Sequence, residues 1–179
     1  EPSAKATAQA ANSSPAPAAP SSKPDAMRVL ITRPRADAES LAARLHAQGH
    51  TTFIEPLIDI VYLDGPPLDL TGVQALAFTS ANGARAAARR TSSRTIPVIA
   101  VGPTTAAEAR AQNFTAVSES TGEGVEGLSH HIQATLSPNA GAVLHITGTV
   151  TAGDLKGSLA TAGFTVTTAR AYEAHAADS

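Results

Sequence analysis

Apolar and polar positions alternate in short blocks along this chain, most clearly between Ala75 and Arg90. A brief apolar run, Leu76–Phe78, breaks into Thr79, Ser80, Asn82 and Gly83, and an alanine-rich stretch ending in arginines follows at once. That order predicts a buried strand, a small polar loop and a helix. The pattern recurs downstream. Val98–Val101 leads into a Gly-Pro-Thr-Thr loop at Gly102 and a helix to Gln112. Thr115–Ser118 leads into a glycine-rich loop ending at Gly124 and a helix to about Leu136. Val143–Ile146 leads into a loop from Thr147 to Gly153 and a helix to Ala162, closed by Gly163, with Phe164–Tyr172 as a last strand.

Upstream, Arg28–Pro34 reads as a buried strand stopped by proline, which cannot continue a ladder. Asp37 is placed to cap a helix with the apolar stripe Ala38, Leu41, Ala42 and Leu45, and Gly49 stands where a left-handed closing residue is wanted. Thr51–Ile54 is a second strand, broken at Pro56. Leu57–Leu63 then continues extended until Gly65 and its two prolines, with Leu57 and Asp59 on one face and Ile58 and Ile60 on the other. The combined run is long for one strand of a compact domain, so it is expected to pass from one domain to another. Strands alternating with helices predict an α/β fold: a parallel sheet flanked by helices on both faces, flavodoxin-like.

Composition narrows the function classes. The chain has 179 residues, a net charge of -2, no cysteine and no tryptophan. A disulfide framework and a thiolate metal site are therefore excluded. Near-neutral charge argues against a nucleic-acid binder, whose affinity rests on many basic groups over phosphates. Aromatic residues, at 3%, supply few platforms for stacking on single strands. No apolar run is long enough to span a bilayer, so a soluble protein with no membrane partner is expected. Residues 1–26 are rich in Ala, Ser and Pro and are read as a disordered tail or linker. That tail fits a linker from a larger fusion, a processed leader, or translated sequence ahead of a true start at Met27.

Candidate chemistry gathers at the ends of the predicted strands. In open α/β sheets ligands bind in the crevice beyond the strands' carboxyl ends. Four loops there share small residues and hydroxyls, and each opens a helix: Thr79–Gly83, Gly102–Thr105, Ser120–Gly124 and Thr147–Thr149. Helix N-termini offer free N–H groups and a positive dipole end, which suits an anion. The same hydroxyls also cap helices in the ordinary way, and Thr105-Ala-Ala-Glu108 reads as a capping box.

Other motifs fail on inspection. Gly122-Glu-Gly-Val-Glu-Gly127 has dinucleotide spacing, but the acidic residue required about 20 positions on is missing, and Glu123 and Glu126 would repel a pyrophosphate. Gly148 to Gly153 has phosphate-loop spacing with Asp154 where lysine is needed. His130 and His131 are adjacent, point to different sides of a helix and read as a solvated face rather than metal ligands. Arg85, Arg89 and Arg90 are expected to meet water or carbonyls near a helix end. Arg33 and Arg35 follow a strand end, where they face either an anionic ligand or a surface partner.

Taken in order, several of these stretches resemble uroporphyrinogen-III synthase. They are Val29-Leu-Ile-Thr-Arg-Pro34, Leu45 to Gly49, Pro56-Leu-Ile-Asp-Ile60, Phe78-Thr-Ser-Ala-Asn-Gly83, Val98 through Ala106, Gly148 to Leu155, and Val166 through Glu173. The resemblance implies two α/β domains joined by two extended strands, with the active site between them. It implies cyclisation of the linear tetrapyrrole hydroxymethylbilane to uroporphyrinogen III, with loss of water, inversion of the last ring, and no cofactor or metal. Tyr172 matches the tyrosine that assists departure of the substrate's hydroxyl. Thr32, Thr79, Ser80, Gly102 and Thr105 fall on the loops that line the family's cleft, and with Arg33, Asn82 and Gly148 they are the expected substrate-binding residues. The missing secretory signal, with this resemblance, makes cytoplasmic the expected localisation.

One departure from the family pattern is expected to matter. Residues 27–56 would be a strand–helix–strand fragment of the first domain, 57–172 a complete second domain, and 173–179 the start of a return segment. The remainder of the first domain is missing, so a C-terminal segment or an upstream fused domain is an expected partner, and little synthase activity is expected of this chain alone. The competing reading is a non-catalytic α/β module that binds a small anionic or tetrapyrrole ligand at the strand rim. A third reading, a flavodoxin-like holder of a phosphate-bearing cofactor, has few aromatic residues with which to stack on a flavin.

Overall fold

Strand β1 (Arg28–Ile31) and strand β2 (Thr51–Ile54) form a two-stranded parallel sheet in the computed structural model, which describes residues 25–151 and 153–177. The helix between them, α1 (Arg35–Ala47), buries Ala38 and Ala42 against Ile31. Gly49 makes the expected left-handed turn, at φ +89°. Side chains alternate across a strand, so Leu30 and its register partner Phe53 share the opposite face. They are 62% and 47% exposed. The expectation of a buried first strand is thus corrected: among the described residues only one face of this layer is covered. Asp37 does not cap α1 either. Pro34 holds the cap position without a side-chain bond, and its carbonyl accepts from the Asp37 and Ala38 N–H groups.

The remaining elements build one six-stranded sheet. They run β3 (Ile58–Tyr62), β4 (Val73–Phe78), α2 (Ala81–Arg90), β5 (Val98–Val101), α3 (Gly102–Ala111), β6 (Val117–Ser120), α4 (Gly124–Thr135), β7 (Ala142–Gly148), α5 (Leu155–Thr161) and β8 (Val166–Ala176). The spatial order is β3-β8-β7-β4-β5-β6, parallel except for β3, which lies antiparallel to β8. The parallel part, β8-β7-β4-β5-β6, is the flavodoxin order 2-1-3-4-5 with the chain entering at the third strand. Its reversal point lies between β7 and β4.

Strand periodicity divides the core into two layers. Leu76, Phe78, Val98 and Ile146 face α2 and α3, where small alanines let the helices sit close and Phe114 meets Phe78 edge to face at 5.7 Å. Ala77, Ile99 and Val143 face Leu128 and Ile132 of α4 and Leu155 and Leu159 of α5. Strand β6 starts at Val117, two residues later than expected, because Phe114 turns into the core and the Thr115 N–H bonds the Arg94 carbonyl.

The extended stretch after β2 leaves the small sheet. Its register with β8 runs from Ile58↔Ala176 to Tyr62↔Tyr172, so it joins the large sheet as an antiparallel ribbon. Leu57 ties both ends, donating to the Thr32 carbonyl and accepting from the Ala177 N–H. Residues 173–176 are the far end of that ribbon. The stretch 1–26 lies outside the described residues except for Asp25 and Ala26. No helix among the described residues is long and apolar enough to cross a membrane.

Candidate active site

Tyr172 owes its position to an irregularity in the sheet. Where β7 advances one residue, from Thr147 to Gly148, β8 advances two, from Arg170 to Tyr172. Such a bulge re-aims the side chain that follows it. The tyrosine ring then lies against Gly148 so closely that a Cβ there would sit 2.8 Å from Cε2. Only glycine admits the ring in this place. The Tyr172 hydroxyl lies 2.8 Å from the Ser80 Oγ, which also caps α2 by accepting from the Gly83 N–H at 3.3 Å. Residues from three parts of the chain thereby meet at the reversal point of the sheet. Tyr172 and Ser80, together with Thr79, Thr147, Thr151 and the start of α4 at Gly124, line a cavity of about 280 Å³.

A second network lies next to this one. The Tyr62 hydroxyl donates to Asn82 Oδ1 at 3.3 Å, and Arg85 donates to the same oxygen at 3.0 Å. Arg85 also reaches Asp37 on α1 at 2.8 Å and Glu108 on α3 at 2.7 Å. Burial opposes the guanidinium's charge, but hydrogen bonds to Glu108 and Asp37 outweigh it and raise its pKa above the ordinary value. Burial likewise raises the Tyr62 phenol, with Arg85 opposing.

Arg85 was expected to meet water or carbonyls; instead it bolts α1 to α2 and α3. The capping box at Thr105 is corrected for the same reason. Glu108 gives one oxygen to Arg85 and the other to Gln112, α3 has no side-chain cap, and Thr105 is buried at 5% exposure. Arg89 stacks over the Tyr62 ring at 4.2 Å, whereas Arg90 does meet carbonyls, those of Pro66 and Arg170.

Thr79, Ser80, Gly148 and Tyr172 are therefore brought together, and Asn82 is next to them but committed to Tyr62 and Arg85. Gly102 opens α3 at φ +65°. Thr105 points inward, and Thr32 sits at the junction with Leu57. Arg33 is exposed and lines a separate gap of about 540 Å³ between α1 and the α2–α3 pair, shared with Arg44 and Arg85.

Sequence reasoning passed over His145. It is 5% exposed, its Nε2 lies 3.2 Å from the Thr79 Oγ1, and burial lowers its pKa. A histidine inside the apolar run Val143-Leu-His-Ile146 was the available signal. His130 is exposed, and His131 meets Ser118 Oγ at 2.9 Å. Among the described residues, no group of three or more His, Asp or Glu is arranged to hold a metal ion. Asp154 caps α5 through the Gly157 N–H at 2.8 Å. Gly122 and Gly127 pack backbone against backbone, closer than any side chain would allow.

Fold and site define a doubly wound α/β protein with a hydroxyl-lined pocket at the switch point of its sheet. The chain belongs to the uroporphyrinogen-III synthase (HemD) family, whose model matches residues 39–179. The crystal structure of uroporphyrinogen-III synthetase from Helicobacter pylori superposes with a TM-score of 0.57 at 17% identity, over 86% of this chain and 63% of that one. A mutant uroporphyrinogen III synthase from Thermus thermophilus gives 0.48 at 16% identity, over 85% and 64%. The chain thus spans less than two thirds of the length of either. Curated protein sequences give no match.

Proposed function

We propose that this chain carries the catalytic half of a uroporphyrinogen-III synthase, a cyclising hydro-lyase that converts hydroxymethylbilane to uroporphyrinogen III. The supporting observation is the Tyr172 hydroxyl held 2.8 Å from Ser80 over Gly148, at the switch point of a sheet in a chain of this family. Ser80 Oγ already accepts from the Gly83 N–H. If Ser80 then donates to Tyr172, the phenol's own proton is left facing the cavity. During reaction the carbon–oxygen bond of the substrate's hydroxymethyl group breaks and its electron pair leaves with oxygen. Tyr172 supplies the proton that makes the leaving group water, while the adjacent pyrrole nitrogen releases electron density to the carbon. The Ser80 hydroxyl steadies the charge that develops on the phenol oxygen. The step needs no metal or cofactor. Attack on that carbon by the last ring forms the closing carbon–carbon bond; inversion breaks that ring's bond to its other bridge carbon and re-forms it at the ring's free carbon, whose proton returns to the Tyr172 phenolate.

Drug-sized ligands fill roughly 300–1,000 Å³, so a cavity of about 280 Å³ accepts only the reacting end of a linear tetrapyrrole. The rest lies along the rim, with Thr32, Arg33 and Gly102 among its expected contacts and backbone N–H groups at helix starts receiving carboxylates. In this reading, residues 27–56 belong to a first domain and 57–172 to a second, with 173–179 leading back toward the first. Freshly generated hydroxymethylbilane tests it, by scoring the III isomer against the I isomer that forms without enzyme. Product III that disappears on Tyr172→Phe supports the proposal. The I isomer alone from the full reading frame that encodes this sequence refutes it, and leaves the rim as a binding module.

A further inference from the structure

A second polar cavity, of about 480 Å³, adjoins the Tyr172 pocket and shares Thr147 and Thr151 with it. It lies between the start of α5 and the face of β8 that α5 is too short to cover. We propose that this cavity is a carboxylate subsite, in which Lys156 and Arg170 hold an acidic side arm of the substrate while its reacting end lies at Tyr172. The inference rests on the synthase reading for the identity of that substrate.

Register places the residues. On β8, Thr168 and Arg170 pair with His145 and Thr147 of β7, so these four side chains share one sheet face. Upstream on the same face, Val143 and Val166 are buried under α4 and α5. The face therefore changes from apolar to polar just where the strands reach the rim. Arg170 stands two residues before Tyr172, on the same strand.

Charge points the same way. Lys156 and Arg170 both line the cavity, and among the described residues neither has an ion-pair partner. Asp154 also lines it, but its Oδ1 is engaged by the Gly157 N–H as the cap of α5. His145, in the floor, has its protonation disfavoured by burial and adds a neutral ring already turned to Thr79. Two cations against the one carboxylate of Asp154 leave the cavity net positive, which attracts an anion, and a guanidinium fork matches the two oxygens of a carboxylate. Thr147, Thr151 and Thr168 supply hydroxyl donors around it.

The test is steady-state formation of product III by the full reading frame and by its Lys156→Gln/Arg170→Gln variant. Both side chains are exposed, so the variant should fold, and a charge-retaining Lys156→Arg/Arg170→Lys variant controls for folding. We expect KM for hydroxymethylbilane to rise about tenfold or more in the glutamine variant, with kcat within about twofold, and to recover in the charge-retaining one. An unchanged KM while product III forms normally overturns the subsite and leaves the synthase reading standing. Binding of uroporphyrin III, which keeps the product's carboxylate arms, is followed by fluorescence in parallel. If the wild type makes no product III yet binds the porphyrin about tenfold tighter than the glutamine variant, the subsite stands and the synthase reading falls. Equal binding by both overturns the subsite.

Discussion

Replacing Gly148 with alanine probes the arrangement of the site through a single methyl group. The added carbon would sit 2.8 Å from Tyr172 Cε2 and 3.2 Å from Cδ2 and Cζ. Apolar carbons rest about 3.5–4.0 Å apart, so the ring must retreat by roughly 1 Å. That movement stretches the 2.8 Å contact between the Tyr172 and Ser80 hydroxyls beyond hydrogen-bonding range. Overpacking of this kind costs about 1–3 kcal/mol, and the lost hydrogen bond adds about 1 kcal/mol. Urea denaturation should therefore show a lower midpoint with an unchanged m-value. A proton donor misplaced by about 1 Å slows turnover on the order of 100-fold. Combining the change with Tyr172→Phe separates the two effects. The phenylalanine ring still meets the methyl group, so the stability loss persists, whereas the rate has no hydroxyl left to lose. Wild-type midpoint and kcat in Gly148→Ala, or an equal further loss of rate in the phenylalanine background, would refute the reasoning.

Two other perturbations follow from the same geometry. Arg85→Met leaves Asp37 and Glu108 without their shared cation, and because all three groups are partly exposed the loss should be about 2 kcal/mol rather than that of a fully buried pair; thermal unfolding reads it, and an unchanged Tm would contradict the bolt between α1 and the large sheet. His145 has a folded pKa below its unfolded value of about 6.5, so the unfolded chain takes up more protons under acid. Its contribution to stability is complete above about pH 6.5 and is lost as pH falls toward the lowered folded value. Denaturant midpoints between pH 7.5 and 5 should decline in the wild type and decline less in His145→Gln.

Much of the fold was legible because strand and helix periods differ and because small polar loops interrupt them. Leu76–Phe78 with Thr79, Ser80 and Gly83 gave a strand, a rim loop and a helix in the right order, and Gly49 and Gly163 both close helices at positive φ. The passage of Leu57–Leu63 into another sheet followed from its length. What local pattern could not carry was pairing across the chain. Arg85 meets partners 48 and 23 positions away, so its helix position alone suggested solvent. Glu108 fits a capping box by spacing, yet a stronger cationic partner on α2 takes it. The bulge that aims Tyr172 arises from the register of two strands, and nothing in Ala169-Arg-Ala-Tyr172 announces it. Burial of β1 was overestimated because an apolar run records what a strand can cover, not whether a neighbour covers it. His145 was hidden by the opposite effect, a polar residue within an apolar run whose hydrogen-bond partner, Thr79, lies 66 positions away in the loop after β4.

The most direct test of the central claim is the isomer ratio formed from fresh hydroxymethylbilane by this chain, by the full reading frame that encodes it, and by the Tyr172→Phe form of that frame. Uroporphyrinogen III is expected from the full frame, less from this chain alone, with a loss on the order of 100-fold in the phenylalanine form. Undiminished product III from Tyr172→Phe would remove Tyr172 from the chemistry. The I isomer alone from the full frame would contradict the synthase reading itself.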